Sequence, residues 1–199
     1  MSTISAKMVM QLREKTGAGI MDCKGALTEC NGDMEKAIDF LRKKGLATAA
    51  KRAGRTMTEG IVESYIHMDS KLGVLVEVNC ETDFVAKNDD FKVFAKNIAM
   101  HIAATHPVGI RPEDVSEEII NKEKEIYRGH VLEMGKPEKI ADKIVEGKLK
   151  KYFKENCLMD QAYVRNPEMT IADLLNEMIA KIGENISIKR FVRFKIGDS

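Results

Sequence analysis

No apolar run in this 199-residue chain approaches the roughly 18 residues of a membrane span, so a spanning helix is excluded. Met1-Ser2-Thr3-Ile4 opens onto an amphipathic pattern, not a signal peptide, and a cytoplasmic protein is expected. An excess of one charge is also missing. The net charge of +1 is too balanced to argue for wholesale nucleic-acid or membrane binding through the field of the whole molecule. Cys23, Cys30, Cys80 and Cys157 form no C-x-x-C pair, which leaves reduced structural thiols over metal or redox chemistry. His67, His101, His106 and His130 are scattered without ligand spacing, and no Gly-x-Ser-x-Gly occurs. Nothing calls for a cofactor or a resident metal.

What is present is a core and a solvating surface, with 44% apolar and 32% charged residues in a chain long enough for one or two domains. The first segment reads as three short helices. Ser5 caps one that buries Met8, Val9 and Leu12, and Thr16-Gly17-Ala18-Gly19 reverses the chain. A second carries Ile20, Met21, Ala26, Leu27 and Cys30 to Asn31-Gly32, and Asp33 caps a third, with Ala37, Ile38 and Leu41 inside and Gly45 at its end. Helices this short must pack on one another. The Gly-Ala-Gly loop is no phosphate cradle, since no strand precedes it and no Gly-Lys-Ser/Thr follows. From Leu46 to Gly60 small residues with Lys51, Arg52 and Arg55 read as a connector, and the domains divide at 1–54 and 55–199.

Strands come next. Ile61 to His67 and Leu72 to Glu81 flank a hairpin loop, and Val74, Val76, Val78 and Cys80 share one face by their period of two. The period breaks at Thr82 and Asp83, residues that cap helices, so the chain leaves the sheet and turns. Phe84 follows, and at such a corner its ring either tucks inward or stands out as a probe. Spacing alone favours burial.

Beyond the corner, Asp89 or Asp90 caps a helix with Phe91, Phe94, Ile98 and Ile102 at core spacing; His101 falls off this stripe. Asp114 with Glu117 resembles a capping box opening a helical hairpin that turns at Gly135-Lys136-Pro137. Its second arm carries Lys148, Lys150, Lys151 and Lys154 beside Tyr152 and Phe153, a face that reads as solvated more readily than as nucleic-acid binding. Thr170 starts a last helix ending at Gly183, and Ile186 to Ile196 alternate as a strand whose cations guard an edge. The class is α+β: a small three-helix amino-terminal domain, then an antiparallel three-stranded sheet with packed helices and the helical hairpin.

Glu77, Glu81, Asp83, Asp89 and Asp90 are the one dense acidic group at a corner, so a magnesium-dependent phosphoesterase is weighed. The Asp residues are already explained as caps. That case is weak, and a nucleic-acid binder using residues 148–154 is the other alternative.

Three stretches carry a resemblance. Leu12 through Leu27, Glu77-Val78-Asn79-Cys80-Glu81-Thr82-Asp83-Phe84-Val85-Ala86-Lys87-Asn88, and Lys136 through Leu149 are similar, in order, to signatures of the bacterial translation elongation factor Ts family. The resemblance implies a non-enzymatic guanine-nucleotide exchange factor whose partner is the GTPase elongation factor Tu. It further implies an amino-terminal module like ubiquitin-associated domains, docking through Leu12, Ile20 and Met21, with Ile20 standing where Met is common. Thr82, Asp83, Phe84 and Val85 match the segment associated with dislodging the partner's magnesium, which reverses the preference for a buried Phe84. Longer members carry a second core subdomain, and short ones work as homodimers, so a homodimer is expected, with no nucleic acid or membrane as partner.

Overall fold

The structure is a computed structural model that describes residues 4–133 and 138–197, with the side chains of 138 and 139 excepted. Three helices open the chain, α1 (Ala6–Thr16), α2 (Ile20–Glu29) and α3 (Met34–Arg52). Two of the expected caps hold: the Ser5 side chain accepts from the Met8 amide at 3.3 Å, and Asp33 accepts from the Lys36 amide at 3.1 Å. Gly17, at φ +65°, closes α1 by donating to the Arg13 carbonyl, a left-handed conformation that glycine takes without strain. Val9, Leu12, Cys23, Ala26, Leu27 and Ala37 form one buried cluster among these helices.

The third helix corrects the sequence reading. It does not stop at Gly45 but runs to Arg52, through the stretch taken for a connector. Ala47, Ala49 and Ala50 are strong helix formers, and small residues suffice because the second half of α3 lies close against another backbone. That neighbour is α8 (Ile171–Ile182), whose Ala180 Cβ is 3.5 Å from where a Gly45 Cβ would stand. Arg42 pairs with Asp173 at 2.8 Å, and Arg52 donates to the Ile179 carbonyl at 3.0 Å.

β1 (Glu59–Ile66), β2 (Leu72–Cys80) and β5 (Ile186–Lys195) form an antiparallel sheet in the order β1-β2-β5, so β1 and β5 are its edges. Val74, Val76, Val78 and Cys80 are all buried, as alternation required. Gly60 has φ +155°, and a Cβ there would run into the Val78 carbonyl oxygen. A second sheet, β3 (Ala162–Tyr163) paired with β4 (Asn166–Thr170), was not anticipated.

α4 (Asp83–Lys87) is a single turn after β2, and α5 (Asp89–Thr105) is the expected long helix with Phe91, Phe94, Ile98 and Ile102 buried. Its cap is neither Asp89 nor Asp90: Asn88 Oδ1 accepts from the Asp90 amide at 2.8 Å and from Phe91 at 3.4 Å. His101, expected off the stripe, is fully buried. The Val164 amide donates to its Nδ1 at 3.3 Å, so Nε2 carries the proton and donates to Gln161 Oε1 at 2.9 Å. α6 (Glu117–Glu133) and α7 (Glu138–Asn156) pack together as the helical hairpin. The cap before α6 is Ser116, which accepts from Ile119 at 3.4 Å, whereas Asp114 accepts from Arg111 within a preceding turn. The turn expected at Gly135-Lys136-Pro137 lies outside the described residues.

The chain forms two compact units. One comprises Met1–Ile61, Val78–Phe94 and Asp173–Ser187; the other comprises Val62–Glu77, Ala95–Ala172 and Ile188–Ser199. The first therefore holds the amino-terminal helices, the Thr82–Phe84 corner and α8 together, a grouping different from a division at residue 54. Among the described residues no helix is long and apolar enough to cross a membrane. All four cysteines are free thiols.

Candidate partner-binding site

Phe84 is 82% exposed, so the burial favoured by spacing does not occur. The reason lies in the short helix that carries it. With Thr82 as cap, α4 turns Ala86 inward and leaves the preceding-but-one position, Phe84, outward. Asp83 pairs with Lys87 one turn on, at 2.6 Å. That hydrogen bond holds the Asp83 carboxyl below its usual range and raises the Lys87 ammonium. Asp83 thus enters the site as a charge already answered, on an exposed helical turn.

The corner itself is fastened by groups far along the chain. Glu184 Oε2 accepts from the amides of Glu81 at 3.1 Å and Thr82 at 3.0 Å, and its Oε1 accepts from Thr82 Oγ1 at 2.6 Å. The same Thr82 oxygen accepts from the Val85 amide at 3.5 Å, which is the cap of α4. In the other direction, Glu81 Oε1 accepts from the Asn185 amide at 2.6 Å. Buried Asn185 donates through Nδ2 to the Arg55 carbonyl at 3.1 Å, and Arg55 reaches Glu81 at 3.5 Å. Cys80 Sγ donates to the Thr82 carbonyl at 3.2 Å; burial, reinforced by Glu184, pushes this thiol up to about 11, so it stays protonated as a donor should. The amides of Glu81, Thr82 and Val85, the Thr82 hydroxyl and the Asp83 carboxylate are all engaged while the aromatic ring is left to solvent.

The expected docking residues separate. Ile20 is 49% and Met21 77% exposed at the start of α2, whereas Leu12 is wholly buried in the three-helix cluster behind them. Ile20 and Met21 form a surface, and Leu12 supports it from within.

The acidic residues of 77–90 do not converge. Glu77 pairs with Arg190 at 2.6 Å, Asp83 with Lys87, and Asp90 with Lys181 at 2.8 Å, while Glu81 serves the corner. Among the described residues no group of three or more His, Cys, Asp or Glu is placed to hold a metal. On the hairpin, Lys148 stands 5.5 Å over the Tyr127 ring and Lys151 lies 3.7 Å from Glu155, so part of that basic face is occupied internally. Sequence reasoning missed Glu184, Asn185 and Arg55. Nothing local marks them, since the bonds of Glu184 and Asn185 to the corner and to Arg55 span about a hundred residues or more.

The family model described as elongation factor TS matches residues 34–198. Curated proteins named elongation factor Ts are similar along the whole chain: 67% identical in Desulfosudis oleivorans, covering 100% of both chains, and 62% in Carboxydothermus hydrogenoformans, covering 98% of this chain and 90% of that one. The protein of that name from Caldanaerobacter subterraneus subsp. tengcongensis is also 62% identical, over 98% of each. With a family model matching most of its length and relatives 62–67% identical along nearly all of it, this chain belongs to the elongation factor Ts family.

Proposed function

We propose that this chain acts in the cytoplasm as a guanine-nucleotide exchange factor for the GTPase elongation factor Tu, without chemistry of its own. The observation that carries the reading is Phe84, a large apolar ring held in solvent by a corner that Glu184 and Thr82 fasten by hydrogen bonds. An exposed ring on a fixed support is what a wedge requires.

The physics is linkage. A GTPase holds GDP largely through phosphate contacts and the Mg²⁺ that neutralises them. A partner that prefers the nucleotide-free form weakens nucleotide binding by the same factor with which nucleotide weakens its own binding. Ile20 and Met21, on Leu12, dock the amino-terminal module on the GTPase. Phe84, set by Thr82 and flanked by Asp83 and Val85, presses on the elements around the partner's metal site and favours the emptied state. No bond is made or broken.

The chain works as a homodimer in this reading. β1 and β5 are both sheet edges, and Val62, Ile66, Leu75, Val192 and Phe194 stay exposed on strands of the sheet, a surface suited to a second copy. The test of the function is release of labelled GDP from elongation factor Tu. Acceleration in proportion to added protein supports it; no change with this protein present contradicts it. A nucleic-acid binder would instead show steeply salt-dependent affinity lost with Lys148 to Lys154, and a phosphoesterase would turn over phosphate substrates with metal alone.

A further inference from the structure

We infer that Glu184, with Glu81 as its counterpart, is a positioning residue for nucleotide exchange: the two carboxylates brace the β2–α4 corner and fix the direction in which Phe84 points. This rests on the proposed role of Phe84 and adds residues that act through the corner that carries it.

The brace is reciprocal. Glu184 takes the two amides at the end of β2 and the hydroxyl that caps α4, and Glu81, from that same end, takes the amide of Asn185 next to Glu184. Each carboxylate therefore anchors the backbone that carries the other. Such bonds to ionised acceptors are roughly twice as strong as neutral ones, and here they converge on a single turn. Asn185 extends the tie to the Arg55 carbonyl, just past α3, within the same compact unit as Ile20 and Met21. The docking surface and the ring are thus held in one piece by the 55, 81–82 and 184–185 segments.

The geometry also accounts for the residue types. Thr82 donates to Glu184 and accepts from Val85 through one oxygen, so a carboxylate cap at position 82 would face another carboxylate. At 184 two acceptor oxygens are needed, one for the paired amides and one for the hydroxyl. Glutamine supplies only one and turns a donor toward Thr82. Without the brace, α4 keeps its ring but loses its bearing, and displacement on the order of 1 Å costs up to about a hundredfold where a contact acts only in the correct geometry.

The experiment measures GDP release from elongation factor Tu over a range of exchange-factor concentrations for the parent, Glu184→Ala, Glu184→Gln and Phe84→Ala. The expected result is a maximal rate about tenfold lower for Glu184→Ala, a half-saturating concentration within about threefold of the parent, and Glu184→Gln in between. A general loss of structure would shift half-saturation and thermal midpoint together instead. Glu184→Ala at the parent's maximal rate, beside an impaired Phe84→Ala, overturns the brace and spares the reading of Phe84. An unimpaired Phe84→Ala overturns both. If Glu184→Ala lacks a thermal transition, Glu81→Ala, which removes the carboxylate that takes the Asn185 amide and leaves the α4 cap in place, carries the same comparison with the same two outcomes.

Discussion

Thr82 Oγ1 lies 2.6 Å from Glu184 Oε1 as donor and 3.5 Å from the Val85 amide as acceptor, so one hydroxyl joins a helix cap to a carboxylate 102 residues along the chain. Removing it in Thr82→Val forfeits a cap worth about 1 kcal/mol and a bond to a charged acceptor worth about as much again. The expected loss is about 2 kcal/mol, read from urea unfolding midpoints. Thr82→Ser keeps the oxygen and should stay within about 0.5 kcal/mol of the parent. Destabilisation by Thr82→Ser with Thr82→Val at the parent's stability would mean that the methyl, not the hydroxyl, matters.

Two glycines should respond in opposite ways. At Gly45 a Cβ meets Ala180 at 3.5 Å, ordinary contact, so Gly45→Ala should raise stability by about 0.5–1 kcal/mol through helix propensity. At Gly60 the φ of +155° and the Val78 carbonyl leave no room, and Gly60→Ala should cost more than about 2 kcal/mol. Thermal midpoints of the two variants check both signs.

Burial pushes the His101 imidazole below its ordinary value, against a smaller upward pull from the Gln161 side chain. The unfolded chain therefore takes up the proton more readily than the folded one. Stability from the neutral ring is complete above a pH of about 6.5 and is lost as pH falls below it toward the folded-state value. Thermal midpoints from pH 8 down to pH 5 should decline more steeply for the parent than for His101→Gln. Parallel curves would show that the ring titrates freely.

Much of this fold is written locally, and the exceptions share a cause. Val74 to Cys80 alternate, Phe91 to Ile102 repeat at helical spacing, and Ser5 and Asp33 sit where caps belong, so these elements are legible. The second half of α3 is not, because Ala47 and Ala49 carry no large apolar stripe; what it packs on is a helix from the other end of the chain, met at Gly45 and Arg52. His101 looked like a surface residue until Gln161 and the Val164 amide satisfied both ring nitrogens. Likewise Phe84 gave no sign of its exposure by spacing, and the family signature alone pointed to it. Glu184 and Asn185 had a readable helix end before them but no hint of their partners.

Self-association is the fourth expectation. If the exposed apolar residues of β1, β2 and β5 meet a second copy, sedimentation at micromolar concentration should show a dimer, and Phe194→Glu, placing a charge where a 68% exposed ring stood, should yield monomers. A parent that sediments as a monomer at working concentrations contradicts the pairing.

The most direct test concerns preference, not strength of binding. The affinity of this protein for elongation factor Tu is measured with the GTPase empty and with it loaded with GDP and Mg²⁺, for the parent and for Phe84→Ala. A parent preference for the empty form on the order of a hundredfold, shrinking toward unity in Phe84→Ala, is the predicted result. If the variant weakens both affinities equally and leaves their ratio unchanged, Phe84 is merely an anchor and the proposed mechanism is contradicted.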